Sequence, residues 1–340
     1  MARDQYISQL ELLVQALPMV ADEPVFALKG GTAINLFYRD LPRLSVDIDL
    51  TYLPLKPRDE SLVEINEALD RVAAKVERIK GVRAKRIAGG GGGDTRVEVR
   101  RAQTAIKIET SPVARGTVHP VERRRVSERV EDQFGFAEMQ VVAFEDLFGG
   151  KMHAAVDRQH PRDLFDIKLL YEHEGLTDPL FRTFLVYVAS SGRPPHELLR
   201  PSRADIAHVF NQEFDGMTID KVSLDKLLDV RERFLKDIQA RLDDKAHTFL
   251  LSLHDSEPNF EVIGLPHALA LPAVRWKILN LQKLKNDNPI KHAEQRGEIE
   301  RLTMMRPLRI FGIDGPTTGS PLLPRLESAF LVAARKSAAV

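Results

Sequence analysis

Two short stretches near the start of the chain hold residue types that could bind a phosphorylated ligand and a metal ion. The first is the turn sequence Lys29-Gly30-Gly31-Thr32, after which the apolar segment 33–38 predicts a short helix. Because glycine has no Cβ, the backbone can approach a ligand closely at this turn. The free N–H groups at the start of a helix suit phosphate. A Gly-Gly pair is also common in turns that bind nothing, and this alternative stays open.

The second stretch is Val46-Asp47-Ile48-Asp49-Leu50, in which apolar and acidic residues alternate. A period of two predicts a β-strand that places Asp47 and Asp49 on one face. Two adjacent carboxylates repel each other, which raises a pKa unless a cation lies between them. A hard divalent ion such as Mg²⁺ or Mn²⁺ prefers such oxygen ligands. A solvated edge strand with two acids is the alternative interpretation.

The composition limits the class of protein. The chain has 340 residues, 43% hydrophobic and 29% charged, with a formal net charge of zero and no cysteine. This length predicts two domains, and the lack of cysteine excludes disulfides and thiolate metal sites. Because no apolar run approaches the roughly 18 residues of a membrane helix and no signal-peptide core is present, we expect a cytoplasmic protein without membrane contact. Nucleic-acid binding would depend on local basic patches.

Apolar periodicity predicts the elements that position the two stretches. Helical spacing predicts helices over 3–17 and 59–80. Alternation predicts strands at 82–87, 97–99 and 105–110. The five glycines at 89–93 lack the Lys-Ser/Thr that completes a phosphate loop, so we favour a mobile loop there.

The sequence after residue 177 predicts helices and offers few catalytic candidates. A long amphipathic helix is predicted over 223–247 and another over 271–288, in which we interpret Trp276 as a core residue rather than a base-stacking platform. After residue 306 the composition changes to Gly, Pro, Thr and Ala, which predicts a poorly packed tail over 306–340.

Taken together and in this order, the glycine turn and the run Arg43-Leu44-Ser45-Val46-Asp47-Ile48-Asp49 resemble the AbiEii/AbiGii-type nucleotidyltransferase toxin family, similar to the MenT toxins and part of the polymerase-beta-type nucleotidyltransferase superfamily. The resemblance covers roughly residues 20–302. It implies that Asp47 and Asp49 hold magnesium. It also implies that the triphosphate lies against Lys29, Gly30, Gly31, Thr32 and Ser45.

The strand over 105–110 alternates again and carries Glu109 between apolar residues. Its place in the chain is similar to the place where the superfamily supplies a third carboxylate from a neighbouring strand. The resemblance therefore implies that Glu109 completes the metal ligands, which would align the triphosphate and neutralise charge during in-line attack. A solvent-facing glutamate on an edge strand is the alternative.

A second informative block lies at 144–166. Residues 144–158 predict a helix despite two glycines, and Lys151 and Arg158 are seven residues apart on it, so they project from one face. A further helix follows and carries Asp163 and Asp166. The family resemblance implies that Lys151 and Arg158 bind the nucleotide, and that Asp163 or Asp166 orients Lys151 or the incoming nucleotide. An ordinary ion-pair network between adjacent helices would also explain these charges.

Arg123, Arg124 and Arg125 form the densest basic cluster of the chain. Arginines neutralise phosphates without reading sequence, so this cluster is a candidate guide for an RNA backbone. A solvated surface is the equal alternative. Three lysines in the predicted helix over 271–288 are the next candidates: Lys277, Lys283 and Lys285.

These patterns predict an α/β (α+β) fold, in which a small, mixed, mostly antiparallel nucleotidyltransferase sheet with helices precedes a helical C-terminal half. We predict a nucleotidyltransferase core domain over 1–142, a helical domain over 143–305 and a tail over 306–340. We expect a cleft with the three acids on one wall and Lys151 on the other.

The resemblance implies a magnesium-dependent toxin of a toxin–antitoxin or phage-defence system that transfers NMP from an NTP to RNA. The implied acceptor is the 3′ end of tRNA, and the implied protein partner is a separately encoded antitoxin. Transfer of NMP to a protein or small-molecule hydroxyl is the second interpretation. The third is a nucleotide-binding regulator without catalysis, which the pair of acids disfavours.

Overall fold

A mixed sheet of seven strands lies at the centre of the N-terminal half in the computed structural model, which describes residues 2–89 and 93–304. The strands are β1 (Phe26–Lys29), β2 (Asp47–Tyr52), β3 (Val82–Gly89), β4 (Gly93–Arg101), β5 (Thr104–Thr110), β6 (Glu122–Arg125) and β7 (Glu138–Val141). Their order across the sheet is β3-β4-β5-β2-β1-β7-β6. β2 pairs with β5 and β1 with β7 in parallel, and the other neighbours are antiparallel.

Helices pack around the sheet and make up most of the chain that follows it. They are α1 (Ala2–Ala21), α2 (Gly30–Ala33), α3 (Arg58–Val76), α4 (Glu128–Phe134), α5 (Phe144–Asp157), α6 (Pro161–Glu172), α7 (Asp178–Ala189), α8 (Pro195–Leu199), α9 (Ala207–Glu213), α10 (Leu224–Ala240), α11 (Asp244–His254), α12 (Pro272–Asp287) and α13 (Pro289–Met304). A π-helical segment, Ile34–Tyr38, continues α2, and a 3-10 helix, Pro266–Ala270, precedes α12. None of the described helices is both long and apolar enough to cross a membrane.

The mixed α/β architecture confirms the predicted fold class. The described residues belong to one compact unit, and the boundary at 142/143 between a core and a helical domain stays a prediction. The strands β3 and β4 pair antiparallel as a hairpin. The predicted mobile glycine loop includes residues 90–92, which lie outside the described residues, as does the predicted tail over 306–340.

The sheet has one face that is covered by helices and positions the acids on the other. α1 packs on β5 and β7, and α3 packs on β3, β4 and α1. Ile48 and Leu50 of β2 are fully buried, and burial of each such side chain contributes about 1.5–3 kcal/mol. Because side chains alternate along a strand, Asp47 and Asp49 lie on the face opposite Ile48 and Leu50. The hydrophobic core thereby fixes which way the acids face.

Two predictions about the C-terminal helices are wrong. Trp276 is 58% exposed rather than part of the core, because α12 packs through a different face that contains Val274, Lys277 and Leu281. The single helix predicted over 223–247 is divided into α10 and α11. Asp243 causes this division, since its carboxylate accepts a hydrogen bond from Ala246 N at 2.8 Å and so caps a new helix.

Helix α5 contains Gly149 and Gly150 because it packs closely on α7. A Cβ on Gly149 would lie 3.2 Å from Tyr187 Cδ2, and one on Gly150 would lie 3.3 Å from Tyr187 Cε1. The low helix propensity of glycine is therefore offset by close contact between the two helices. The helix predicted over 144–158 is present despite its glycines.

Asp146 joins α5 to α7 and to the loop that follows β5. Its buried carboxylate accepts hydrogen bonds from Val118 N at 2.9 Å, His119 N at 2.8 Å and the Tyr187 hydroxyl at 2.9 Å. Burial raises the pKa of Asp146, and the three donors oppose that shift. A single carboxylate thus satisfies donors from two separate parts of the chain.

We predict that Asp146→Ala lowers the free energy of unfolding by about 3 kcal/mol, because it leaves buried donors without an acceptor. Asp157→Ala on the same helix is the matched control. Its carboxylate is 38% exposed and pairs with Arg193 at 3.0 Å, so its loss should cost less than about 1 kcal/mol. Urea unfolding measures both values, and equal losses would contradict the joining role of Asp146.

Candidate active site

Three carboxylates lie on one face of the sheet because β2 and β5 run side by side in parallel. Asp49 is the register partner of Glu109, and Asp47 is the partner of Lys107. Residues directly opposite each other on neighbouring strands point to the same face. Asp47, Asp49 and Glu109 therefore project together, as predicted for a shared site.

A cleft of about 230 Å³ opens beside these acids. Asp49 and Glu109 line it together with two cations, Lys29 and Arg96. Lys29 is the register partner of Asp49 across β1 and β2, so the predicted triphosphate turn and the predicted metal ligands meet at this cleft. The remaining lining residues are Leu50, Thr95, Thr110, Ser111 and Pro112.

The acids of the cleft carry negative charge that the protein does not fully compensate. Burial, followed by repulsion from Glu109 and Asp47, raises the pKa of Asp49 although Lys29 opposes the shift. Partial burial and repulsion from Glu109 likewise raise the pKa of Asp47 although Lys107 opposes it. Such a pair of destabilised carboxylates favours a cation between them.

The glycine turn is in direct contact with the acid pair. Gly30 has a φ of +75°, in the left-handed region that favours glycine, and a Cβ there would lie 2.4 Å from Asp49 Oδ2. A Cβ on Gly31 would lie 2.7 Å from Ser45 Oγ. A side chain at either position would thus clash with Asp49 or Ser45, which explains both glycines. Because α2 begins at Gly30, its first residue lies next to Asp49.

Thr32 holds the start of β2 in place. Its fully buried hydroxyl donates to the Asp47 carbonyl oxygen at 2.5 Å and lies 3.2 Å from Ser45 Oγ. This geometry gives Thr32 a structural task next to the acid pair. Contacts of Thr32 and Ser45 with a nucleotide stay a prediction.

Lys151 lies in a buried ion-pair network between α5 and α6. Its Nζ is 2.8 Å from Asp163 Oδ1 and 3.0 Å from Asp166 Oδ2, and both aspartates are fully buried. Arg43 completes the network with two bonds to Asp166, at 2.7 Å from Nε and 2.6 Å from a terminal nitrogen. The ion-pair network that the sequence left as an alternative is therefore present, and the nucleotide-binding role of Lys151 stays a prediction.

Arg158 connects this network to the cleft. Its Nε donates to Asp163 Oδ2 at 2.6 Å while its side chain is 61% exposed. Burial alone would raise the pKa of Asp163, but Lys151 and Arg158 outweigh it and hold that pKa well below the usual range. The negative charge of Asp49 also helps to raise the pKa of Arg158, and Lys151 acts to lower the pKa of Asp49. The network and the acids thus influence each other electrostatically.

Two residues of the site had no role in the sequence-based prediction. Arg43 is part of the family-like run, but its partner Asp166 follows 123 residues later and no spacing rule connects them. Arg96 lies on β4 directly opposite Glu109. Only the strand register reveals this neighbour.

The carboxylate oxygens of the site are the type of ligand that a hard divalent ion prefers, although the third carboxylate, Glu109, is paired with Arg96. Asp47 and Asp49 offer the oxygen ligands that Mg²⁺ prefers. Glu109 Oε2 instead lies 2.7 Å from Arg96 Nε. In the part of the chain that the structure describes, no three His, Cys, Asp or Glu side chains are gathered closely enough to hold a metal ion.

The structure divides the predicted RNA-binding arginines between two faces of strand β6. Arg123 and Arg125 lie 2.9 Å and 3.8 Å from the carboxylate of Glu138. Arg124 stacks over the ring of Tyr38, with its guanidinium carbon 3.8 Å from the ring centre. Alternation along the strand therefore keeps the three arginines from forming one patch, and their RNA-binding role stays a prediction.

The lysine alternatives on α12 need one correction. Lys277 is only 5% exposed, donates to the Arg193 carbonyl oxygen at 2.6 Å, and has its pKa lowered by burial to about 8. It therefore cannot serve as a surface contact for RNA. Lys283 and Lys285 are exposed, as are Arg275 and Trp276.

We predict that Gly30→Ala weakens NTP binding at least tenfold, because the new Cβ would displace the Asp49 carboxylate. Gly81→Ala is a matched control, since Gly81 has a similar φ of +77° but no atom within 4 Å of the added Cβ. Both variants carry the same backbone strain. Titration with NTP separates that strain from the clash, and equal affinity losses would contradict the proposed contact.

Comparison with known proteins identifies a matching family and a similar solved structure. The family model for the nucleotidyl transferase AbiEii toxin of type IV TA systems matches residues 11–277. Among solved structures, the fold is similar to that of MenT4, a nucleotidyltransferase toxin from Mycobacterium tuberculosis H37Rv, with a TM-score of 0.52 and 18% identity over 82% of this chain and 91% of that one. No curated protein matches the sequence. The family match spans the glycine turn, the three acids and the buried ion-pair network.

Proposed function

Because the chain belongs to the AbiEii nucleotidyltransferase toxin family of type IV toxin–antitoxin systems, we propose that it transfers NMP from an NTP to an RNA acceptor, with the 3′ end of tRNA as the implied target. Membership confirms the predicted family and the predicted enzyme class. The observation that carries the proposal is the contact between the glycine turn and the acid pair, at a cleft that Glu109 shares. An antitoxin and an NTP are the corresponding partners.

The chemistry is an in-line displacement that needs no protein nucleophile. A hydroxyl of the acceptor attacks the α-phosphorus of the NTP, a new P–O bond forms, and pyrophosphate leaves. When bound, a divalent ion such as Mg²⁺ or Mn²⁺ would neutralise charge that builds up on the phosphates. Asp47, Asp49 and Glu109 are the residues that would hold it.

The cations around the cleft have separate tasks in this proposal. Lys29 lines the cleft and faces the phosphates from β1. Arg158 is anchored on Asp163 through Nε and one terminal nitrogen, which leaves its other terminal nitrogen for a phosphate oxygen. Lys151 uses two of its three N–H groups on Asp163 and Asp166, so one N–H group remains for the triphosphate.

We predict that Asp47→Asn or Asp49→Asn lowers transfer at least about 100-fold. Because each change removes one of two repelling carboxylates with raised pKa values, thermal stability without a divalent ion should be equal or higher. Asp70→Asn is the control, as Asp70 is 66% exposed and pairs with Arg86 on the far strand β3. Full transferase activity in either site variant would refute the assignment.

The acceptor is tested with labelled NTPs added to total RNA or to total protein and separated on gels. Label on small RNA supports the proposed acceptor. Label on protein, lost in Asp49→Asn, would move the acceptor to a protein hydroxyl. Label on neither, with nucleotide binding retained, would favour a regulator without catalysis.

We predict that the double variant Arg123→Gln with Arg125→Gln binds tRNA with a weaker dependence on salt. Each lost phosphate contact should change the slope of log affinity against log salt concentration by roughly 0.7 to 0.9, so the two together should flatten it by about 1.5. These two arginines share one face of β6, so one RNA strand can contact both. NTP affinity should not change. A matched double variant, Arg275→Gln with Lys283→Gln, tests the exposed surface of α12. If only the α12 variant flattens the slope, the acceptor binds there and the β6 arginines are a solvated surface.

A further inference from the structure

Arg96 and Glu109 form an ion pair inside the cleft that the proposed reaction uses. The two residues are register partners on the antiparallel strands β4 and β5. Arg96 Nε lies 2.7 Å from Glu109 Oε2, and the side chains are 41% and 34% exposed. Both residues line the cleft together with Lys29 and Asp49. The pair is therefore accessible from the position where a nucleotide would bind.

This ion pair places the positive charge of Arg96 on the carboxylate that would be a third metal ligand, so Arg96 and a divalent ion compete for Glu109. An arginine does not lose its proton at physiological pH, so the pair cannot open by deprotonation. A second cation at the carboxylate can instead take the place of Arg96. Partly exposed ion pairs are weak, so a divalent ion can replace Arg96 at small cost.

We propose that Arg96 is an exchangeable counter-ion: it pairs with Glu109 in the nucleotide-free protein and moves to the triphosphate when a divalent ion takes Glu109. This inference rests on the proposed nucleotidyltransferase function. Its basis is the shared cleft, since a guanidinium released there remains close to Lys29 on the phosphate side. The planar guanidinium then binds phosphate oxygens in pairs.

The exchange couples the binding of metal and nucleotide. Metal binding alone must displace Arg96, which then lacks an anionic partner. Nucleotide binding provides that partner, so each ligand makes the other bind more tightly. All three acids would therefore be most available to the divalent ion when the NTP is present to receive Arg96.

The test uses Arg96→Gln in the full chain and measures binding by calorimetry, with Mn²⁺ alone and then with a non-hydrolysable NTP analogue at saturating Mn²⁺. We expect Mn²⁺ alone to bind about 2- to 5-fold more tightly, because its competitor is gone. We expect the analogue to bind about tenfold more weakly, because a phosphate ligand is lost. Arg96→Lys, which keeps the charge but not the paired hydrogen bonds, should lie between Arg96→Gln and wild type.

Arg100→Gln is the matched control on the same strand. Arg100 pairs with Glu98 at 2.8 Å, is 58% exposed and does not line the cleft. This variant should change neither affinity. Thermal unfolding of each variant confirms that it is folded.

The opposite signs of the two expected changes make the exchange refutable. If Arg96→Gln weakens the binding of both Mn²⁺ and the analogue, Arg96 contributes to binding but does not compete with the divalent ion for Glu109. If it changes neither ligand while wild type binds both, the pair is a surface ion pair and only the exchange is wrong. If wild type binds neither Mn²⁺ nor the analogue, the proposed function itself fails.

Discussion

Mutual repulsion between carboxylates on adjacent strands is the constraint on which the rest of this structure depends. The strand register places Asp49 beside Glu109. Asp47 lies two residues before Asp49 on the same strand and therefore projects from the same face. No rearrangement of the strands can separate these charges, because the apolar side chains on the other face, such as Ile48, are locked in the core. The charges must therefore be balanced by cationic side chains on the same face, such as Lys29 and Arg96, or by ligands.

The protein balances these charges with cations of different mobility. Lys151 and Arg43 are fixed in a buried network on Asp163 and Asp166, where burial makes the loss of any single partner costly. Arg96 and its partner Glu109 are both partly exposed, so Arg96 can change partners at small cost. Arg158 is also partly exposed, but two of its nitrogens hold the buried carboxylate of Asp163, which keeps it in place. Fixed, buried ion pairs thus lie beside a partly exposed pair that can change partners, which suits a site that binds a highly charged ligand.

The sequence was sufficient wherever a local period determines the outcome. Alternation alone places Asp47 and Asp49 on one face, and helical spacing places Lys151 and Arg158 where both bind Asp163. Local patterns were insufficient where two distant segments meet. The contacts of Arg96 with Glu109 and of Arg43 with Asp166 depend on strand register and helix docking, which no short spacing encodes.

The remaining wrong predictions concern which face of a helix or strand a side chain lies on. Helix α12 has apolar residues on more than one side, so its periodicity does not decide between Trp276 and Leu281 for the core. In the structure, α12 packs with the face that carries Leu281, and Lys277 on the same face is buried with it. Similarly, three consecutive arginines look like one patch in a sequence, but a strand distributes them to opposite faces.

The long separation between Arg43 and Asp166 has a consequence for how the protein is made. Their bond joins residues 123 positions apart, and Asp166 also receives Lys151. A ribosome that has completed the strands of the sheet has therefore not yet produced α6, whose aspartates hold Lys151 and Arg43 in the buried network. The buried network can form only after α6 has been translated, so a chain that ends before residue 161 would carry Asp47, Asp49 and Glu109 without it.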